Sequence, residues 1–243
     1  MMSLITAKLE LLDRIYYAFD QWLTAEYKTA CSRGCAACCT GHVTGTAIEA
    51  YRVRQAITKL DRPDLFDRLA ETAGSNLFRP GLSPNALALA CLMRQEPPEE
   101  EPPETQTVCP LLEDDLCLVY EDRPFGCRAM VSFQTCRPSG QAEAPPEVVV
   151  AAAVGQQIIE HLDVGGAFGN LTDLVLALED DLDYAEGRGL IRPGLAPTRP
   201  APGFLVHPDQ EAAVQGFLEK LFQVDCGGRT FRQRMSAFRN SPF

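Results

Sequence analysis

The sequence predicts a mainly α protein, a helical domain carrying an irregular, loop-built, cysteine-rich metal site. Three observations carry this. Apolar residues recur at helical spacing through most of the chain, no stretch alternates in the two-residue rhythm of a strand-rich fold, and the cysteines cluster where proline and glycine interrupt the helices. With 243 residues, 46% of them hydrophobic, the chain is long enough to bury a full core without crosslinks.

Ile5, Leu9, Leu12, Tyr16, Phe19 and Leu23 step by four and three, which predicts a first helix with Ser3 as its cap. "TGTAIEAYRVRQAITKL", 44–60, predicts a second. "DRPDLFDRLAETAGS" predicts a third, with proline in its first turn and a stop at Gly74. "SPNALALACLMRQ" predicts a fourth. The tract "EPPEEEPPETQT", 96–107, holds four prolines and five glutamates, cannot pack, and is expected to loop out as a disordered, solvated excursion.

Beyond it, "VCPLLEDDLCLVYEDRPFGCRAMVSFQTC" is broken by Pro124 and Gly126 and predicts irregular loops with one short strand pair. "PPEVVVAAAVGQQIIEHL" and "NLTDLVLALEDDLDYAE" return to helix, the first apolar enough to lie centrally in the core. "GGAFG", 165–169, follows a helix and reads as a helix stop. "HPDQEAAVQGFLEKLFQ" closes with Val214, Phe217, Leu218, Leu221 and Phe222 on one face. The basic tail, with Arg229, Arg232, Arg234 and Arg239, is expected to be solvated. Residues 1–140 thus form a helical, cysteine-bearing region, and 141–243 a helical region packing on it as one composite domain.

The formal net charge of −11 sets the body against a polyanion, so nucleic acid is not an expected partner, whereas a protein partner is left open. Charged Lys8, Glu10, Asp13 and Arg14 interrupt the N-terminal apolar residues, and no stretch is apolar enough for a membrane span. The expectation is a cytoplasmic protein with no membrane partner. Thiols stay reduced in that compartment, so ten cysteines point to metal or catalysis rather than disulfides.

Eight of the ten fall in two blocks of four. Cys31, Cys35, Cys38 and Cys39 lie within "CSRGCAACC", and Cys109, Cys117, Cys127 and Cys136 follow at intervals of eight, ten and nine. Thiolates bind soft and borderline metals, and four around one centre match zinc or an iron–sulfur cluster. The later block has no short knuckle of the zinc type, and Cys109 precedes Pro110, so the spacing favours iron and sulfide, most simply 4Fe-4S, over zinc. Arg33, Arg123, Arg128 and Arg137 lie near these cysteines, and Arg123 and Arg128 are the residues expected to assist the cofactor by offsetting thiolate charge; pairing with Glu113, Asp114, Asp115, Glu121 or Asp122 is the alternative.

Neighbouring side chains diverge on a helix or a strand, so Cys38 and Cys39 are not expected to clasp one metal. Either they divide between two centres, or one binds metal and the other supports or reacts beside it. Cys91, on an apolar helix, and Cys226, before two glycines, read as ordinary residues. His42 reads as a local hydrogen-bonding group, and His161 and His207 as helix-end residues.

Taken together, "CSRGCAACC" and "CPLLEDDLCLVYEDRPFGCR" resemble the zinc- or iron-chelating cysteine-cluster family. The match runs through Cys109 with Leu111 and Leu112, Cys117 with Val119 and Tyr120, and Arg123, Pro124, Cys127 and Arg128. It covers residues 31 to 136, and this chain inserts the glutamate and proline tract between the blocks. The resemblance implies a metal-binding module. The cysteine block is also similar to that of flagellin lysine N-methylases, which implies a modifying enzyme as one use of such a site, although no glycine-rich loop for S-adenosylmethionine is seen. A structural zinc module in a helical interaction protein is the other alternative.

Overall fold

A computed structural model describes residues 3–100, 103, 107–136, 142–178, 190 and 192–239. Among the described residues the chain forms nine α-helices, a three-stranded sheet and a two-stranded hairpin. None of these helices is long and apolar enough to cross a membrane.

Helix α1 (Leu4–Glu26) starts where predicted, with the Ser3 hydroxyl oxygen accepting the Thr6 N–H at 3.1 Å. Leu12, Tyr16, Phe19 and Leu23 of the predicted stripe are buried, and Ile5 and Leu9 pack at its edge. The same face buries Lys8, whose Nζ sits 2.9 Å from Oδ1 of the buried Asp163. The second Asp163 oxygen accepts the Ile48 N–H at 3.0 Å. One carboxylate therefore neutralises a buried ammonium and caps a helix belonging to a third segment.

That helix, α2 (Ala47–Lys59), begins later than the sequence predicts, because Thr44–Thr46 form strand β1. This sheet is not among the expected elements, while the mainly α class holds. Strand β1 pairs antiparallel with Ala167–Asn170, the strand inside the predicted helix stop, and that strand pairs antiparallel with Leu195–Pro197. Gly165, at φ 90°, does end the preceding helix, but the chain continues directly into the sheet. Strands of three and four residues are too short to display alternation, so periodicity could not reveal them. The central Gly169 is required by close approach: a Cβ there would lie 2.5 Å from Leu195 Cδ2.

Helices α3 (Asp64–Ala73) and α4 (Pro84–Leu92) form as predicted, with Gly74 closing α3 and the Ser83 hydroxyl accepting the Ala86 N–H at the head of α4. The predicted strand pair is the hairpin β2 (Leu112–Glu113) and β3 (Leu116–Cys117), turned by Asp114 and Asp115 at φ 49° and 61°. Strands Ala167–Asn170 and Leu195–Pro197 are then β4 and β5. Helix α5 (Phe125–Ala129) is a single turn. Helix α6 (Pro146–Leu162) is central, burying Val148, Ala151, Val154, Ile159 and Leu162. Its Glu160, also buried, accepts from Ser83 Oγ, the Asn85 N–H and the Arg199 N–H at 2.6–2.8 Å, which fixes the head of α4.

Helix α7 is Leu171–Ala177; the remainder of the predicted helix, 179–186, lies outside the described residues, as do 101–102 and 104–106 of the glutamate and proline tract. Glu96, Glu99 and Glu100 of that tract are exposed, but the tract also makes contact with the body, Glu100 accepting the Gly81 N–H and the Thr107 carbonyl the Gly41 N–H, each at 2.6 Å. Helix α8 (Glu211–Gln223) buries Val214, Phe217 and Leu221 against α1 and α6. The basic tail keeps Arg229 and Arg232 exposed, as expected, yet forms helix α9 (Phe231–Arg239), anchored by the fully buried Phe231 and by Arg234, 3.4 Å from Glu10. A buried aromatic outweighs the charge of its neighbours here. Helix α1 packs on α6 and α8, α2 on α7, and β1 on β4, so elements from both sides of residue 140 share one core.

Candidate metal centre

The first cysteine block is a loop of successive turns. The Cys35 N–H donates to the Ser32 carbonyl and the Cys39 N–H to the Ala36 carbonyl, each at 3.0 Å, while Gly34 takes φ 87°. Two contacts with the second block hold the far end. The Cys109 N–H donates to the Cys39 carbonyl at 3.1 Å, and Thr40 and Val108 form an antiparallel bridge. Below the bridge the buried Asn170 donates to the Gly41 carbonyl at 2.8 Å and caps α7 through its Oδ1, so the sheet and the loop are set by one side chain.

From Cys109 the chain turns into the hairpin, where Cys117 stands opposite Leu112. Cys127 follows on α5. The Glu49 carboxylate fixes that helix from beneath: Oε1 accepts the Phe125 N–H at 2.7 Å and the Tyr16 hydroxyl at 3.0 Å, and Oε2 accepts the Thr46 N–H and hydroxyl at 2.9 and 3.0 Å. Burial raises the Glu49 pKa despite these four donors. At the other end, the Ser132 N–H donates to Cys31 Sγ at 3.2 Å and the Ala30 N–H donates to the Ser132 carbonyl at 2.8 Å, bringing the segment that ends in Cys136 beside Cys31.

The outcome is a cavity of about 350 Å³ lined by all eight predicted cysteines, Cys31, Cys35, Cys38, Cys39, Cys109, Cys117, Cys127 and Cys136, together with Arg123 and Arg128. The volume falls at the lower end of small-ligand pockets. Soft sulfur donors in this number, partly shielded from water and with the Arg123 charge in reach, suit a thiolate-bound metal. Among the described residues no three His, Cys, Asp or Glu side chains are drawn together closely enough to hold an ion as they stand.

Arg123 donates to the Tyr120 carbonyl at 2.8 Å and stacks 3.8 Å from that ring's centre; its charge helps to lower Cys38 and only partly opposes the rise that burial causes at Cys117 and Cys127. Arg128 pairs with Asp20 at 3.4 Å, donates to the Arg123 and Glu121 carbonyls, and lies over Tyr16. Two of the nearby acids pair with other arginines, Glu113 with Arg62 and Arg68, and Asp122 with Arg52. Arg33 stands 5.9 Å over Tyr120, and Arg137 lies outside the described residues. His42 also lines the cavity, with Nδ1 accepting the Phe78 N–H at 3.1 Å. His161 and His207 each accept a backbone N–H at a helix end.

At Cys38 and Cys39 the backbone is neither helix nor strand, so the two neighbouring thiols influence each other. The Cys39 thiol, aided by Arg123, lowers Cys38 to about 6, while the same interaction raises Cys39. Burial raises Cys31, Cys117 and Cys127 and pushes Cys109 up to about 11. In reduced, metal-free protein at pH 7, Cys38 is expected to react with iodoacetamide faster than the exposed Cys91, with a midpoint near pH 6. Cys39→Ala moves that midpoint upward. Peptide-resolved labelling across pH checks this, and equal rates for Cys38 and Cys91 contradict it.

Sequence reasoning missed Glu49, Asp163 and Asn170. Glu49 had a visible signal, since "TAIE", 46–49, is the threonine-x-x-glutamate pattern of a capping box, and "NLTD", 170–173, shows a helix cap. Asp163 had none. The family models, the curated proteins and the solved structures yield no match to this chain, so the resemblance rests on its cysteine pattern and the site on its own residues.

Proposed function

We propose that the chain is a cytoplasmic metal-binding protein that holds an iron–sulfur cluster in its cysteine-lined cavity and serves a redox or enzyme-associated role. One observation carries this reading: eight cysteines from blocks some seventy positions apart line the same 350 Å³ cavity, while Cys91 and Cys226 stand apart from it. A scatter of structural thiols would not select these eight. Thiolate ligation releases protons and accumulates negative charge, which the Arg123 guanidinium offsets, while Arg128, paired with Asp20, adds a second cationic residue to the cavity lining. The spacing, with Cys109 before Pro110 and no zinc knuckle in the second block, favours a cluster over a lone zinc ion.

Purification under anaerobic conditions tests the assignment. The expected product is brown, bleaches on reduction, and carries iron and acid-labile sulfide in equal amounts. Exchanging Cys35 and Cys109 for serine together removes most of the iron while Cys91→Ser keeps it. A colourless protein that holds zinc without sulfide overturns the iron–sulfur assignment and leaves the structural zinc module in its place. A protein that binds no metal at all overturns metal binding itself.

A further inference from the structure

The backbone divides the eight thiols into two sets. Cys31 is tied through Ser132 to the segment that ends in Cys136, and it lies within electrostatic reach of Cys35, Cys38 and Cys136. Cys39 is tied by its carbonyl to Cys109, which turns into the hairpin bearing Cys117. Cys39 lies within reach of Cys109 and Cys127, Cys109 within reach of Cys117, and Cys127 within reach of Cys109 and Cys117 and, across the two sets, of Cys38. Cys38 and Cys39 stand at the seam: Cys38 lies within reach of both Cys31 and Cys127, and it is Cys39 whose backbone is bonded to Cys109.

We infer that the cavity holds two metal centres, one on Cys31, Cys35, Cys38 and Cys136 and one on Cys39, Cys109, Cys117 and Cys127, with the adjacent pair divided between them. This rests on the proposed metal binding and adds its stoichiometry and ligand assignment. A zinc ion or a cubane takes four thiolates, so a single centre would leave four thiols facing the same cavity with no metal to bind. Two sets of four use every donor. Dividing the pair also removes the difficulty that two neighbouring residues cannot readily supply adjacent corners of one small coordination sphere. The two centres are then covalently joined through the Cys38–Cys39 peptide unit, and either can be filled while the other is open.

Cobalt titration of reduced, metal-free protein under argon tests this, because tetrahedral thiolate cobalt has visible absorption that counts the centres. Two equivalents per chain are expected at saturation. The Cys31→Ser/Cys35→Ser and Cys109→Ser/Cys117→Ser variants each retain one equivalent with a four- or near-four-thiolate spectrum. For a variant that does not fold, wild-type protein carrying one cobalt is alkylated and mapped by mass spectrometry, and the protected cysteines fall wholly in one set or wholly in the other. Saturation at one equivalent, or protection that mixes the sets in the one-metal species, overturns the division while metal binding stands. No cobalt uptake overturns both.

Discussion

Replacing Glu49 by alanine is expected to lower the unfolding free energy by about 3–5 kcal/mol. The residue is 3% exposed and accepts four hydrogen bonds, from Tyr16, Phe125 and, twice, Thr46. Each stranded buried donor costs roughly 1–3 kcal/mol, while water entering the space and the relief of burying a carboxylate offset part of the sum. Because those donors belong to α1, to the head of α2 and to the first residue of α5, the loss also frees the turn that carries Cys127. Glu49→Gln keeps the shape but turns an amide donor toward other donors, so about 1–3 kcal/mol is expected. Urea denaturation of reduced, metal-free protein checks both values. A loss below about 1 kcal/mol for the alanine variant would show that the four bonds do not hold the site together.

Phe125→Ala is expected to cost about 3–5 kcal/mol, the range for emptying an aromatic site in a core. Its ring is fully buried, edge-on to Phe19 with centroids 4.9 Å apart and stacked on Tyr16 at 6.1 Å. Gly155 of α6 exists for this ring, since a Cβ there would lie 2.4 Å from the Phe125 Cζ. Gly155→Ala alone overpacks the contact and is expected to cost roughly 1–3 kcal/mol. Combined with Phe125→Ala, the added methyl fills vacated space, and the double variant is more stable than the sum of the two losses predicts. Strict additivity in a thermal or urea cycle would mean that the ring and the glycine do not meet. Phe125 opens the helix bearing Cys127, so both variants also loosen one wall of the cysteine cavity.

The helices that were legible share a feature. Ser3 caps α1 from three residues away, Ser83 caps α4 over the same distance, and the α1 stripe repeats within two turns. Such signals act over three or four residues and survive in the sequence whatever the rest of the chain does. The hairpin at Asp114 and Asp115 was legible for the same reason, a local turn between apolar neighbours. Strands β1, β4 and β5 were not, because each is stabilised by pairing with residues far along the chain rather than by a pattern of its own. Helix α9 was obscured by its arginines, whose charge conceals that Phe231 is fully buried.

By itself, the sequence determined the helical class, most helix starts and the set of eight thiols as candidate donors, because periodicity, capping and side-chain chemistry are properties of short windows. The tertiary structure alone places thiols from both blocks along one cavity and makes Asp163 join Lys8 to Ile48 across more than a hundred residues. Those relations depend on loop closure, whose entropic cost is met by the common core, and no short window encodes where a distant segment will land.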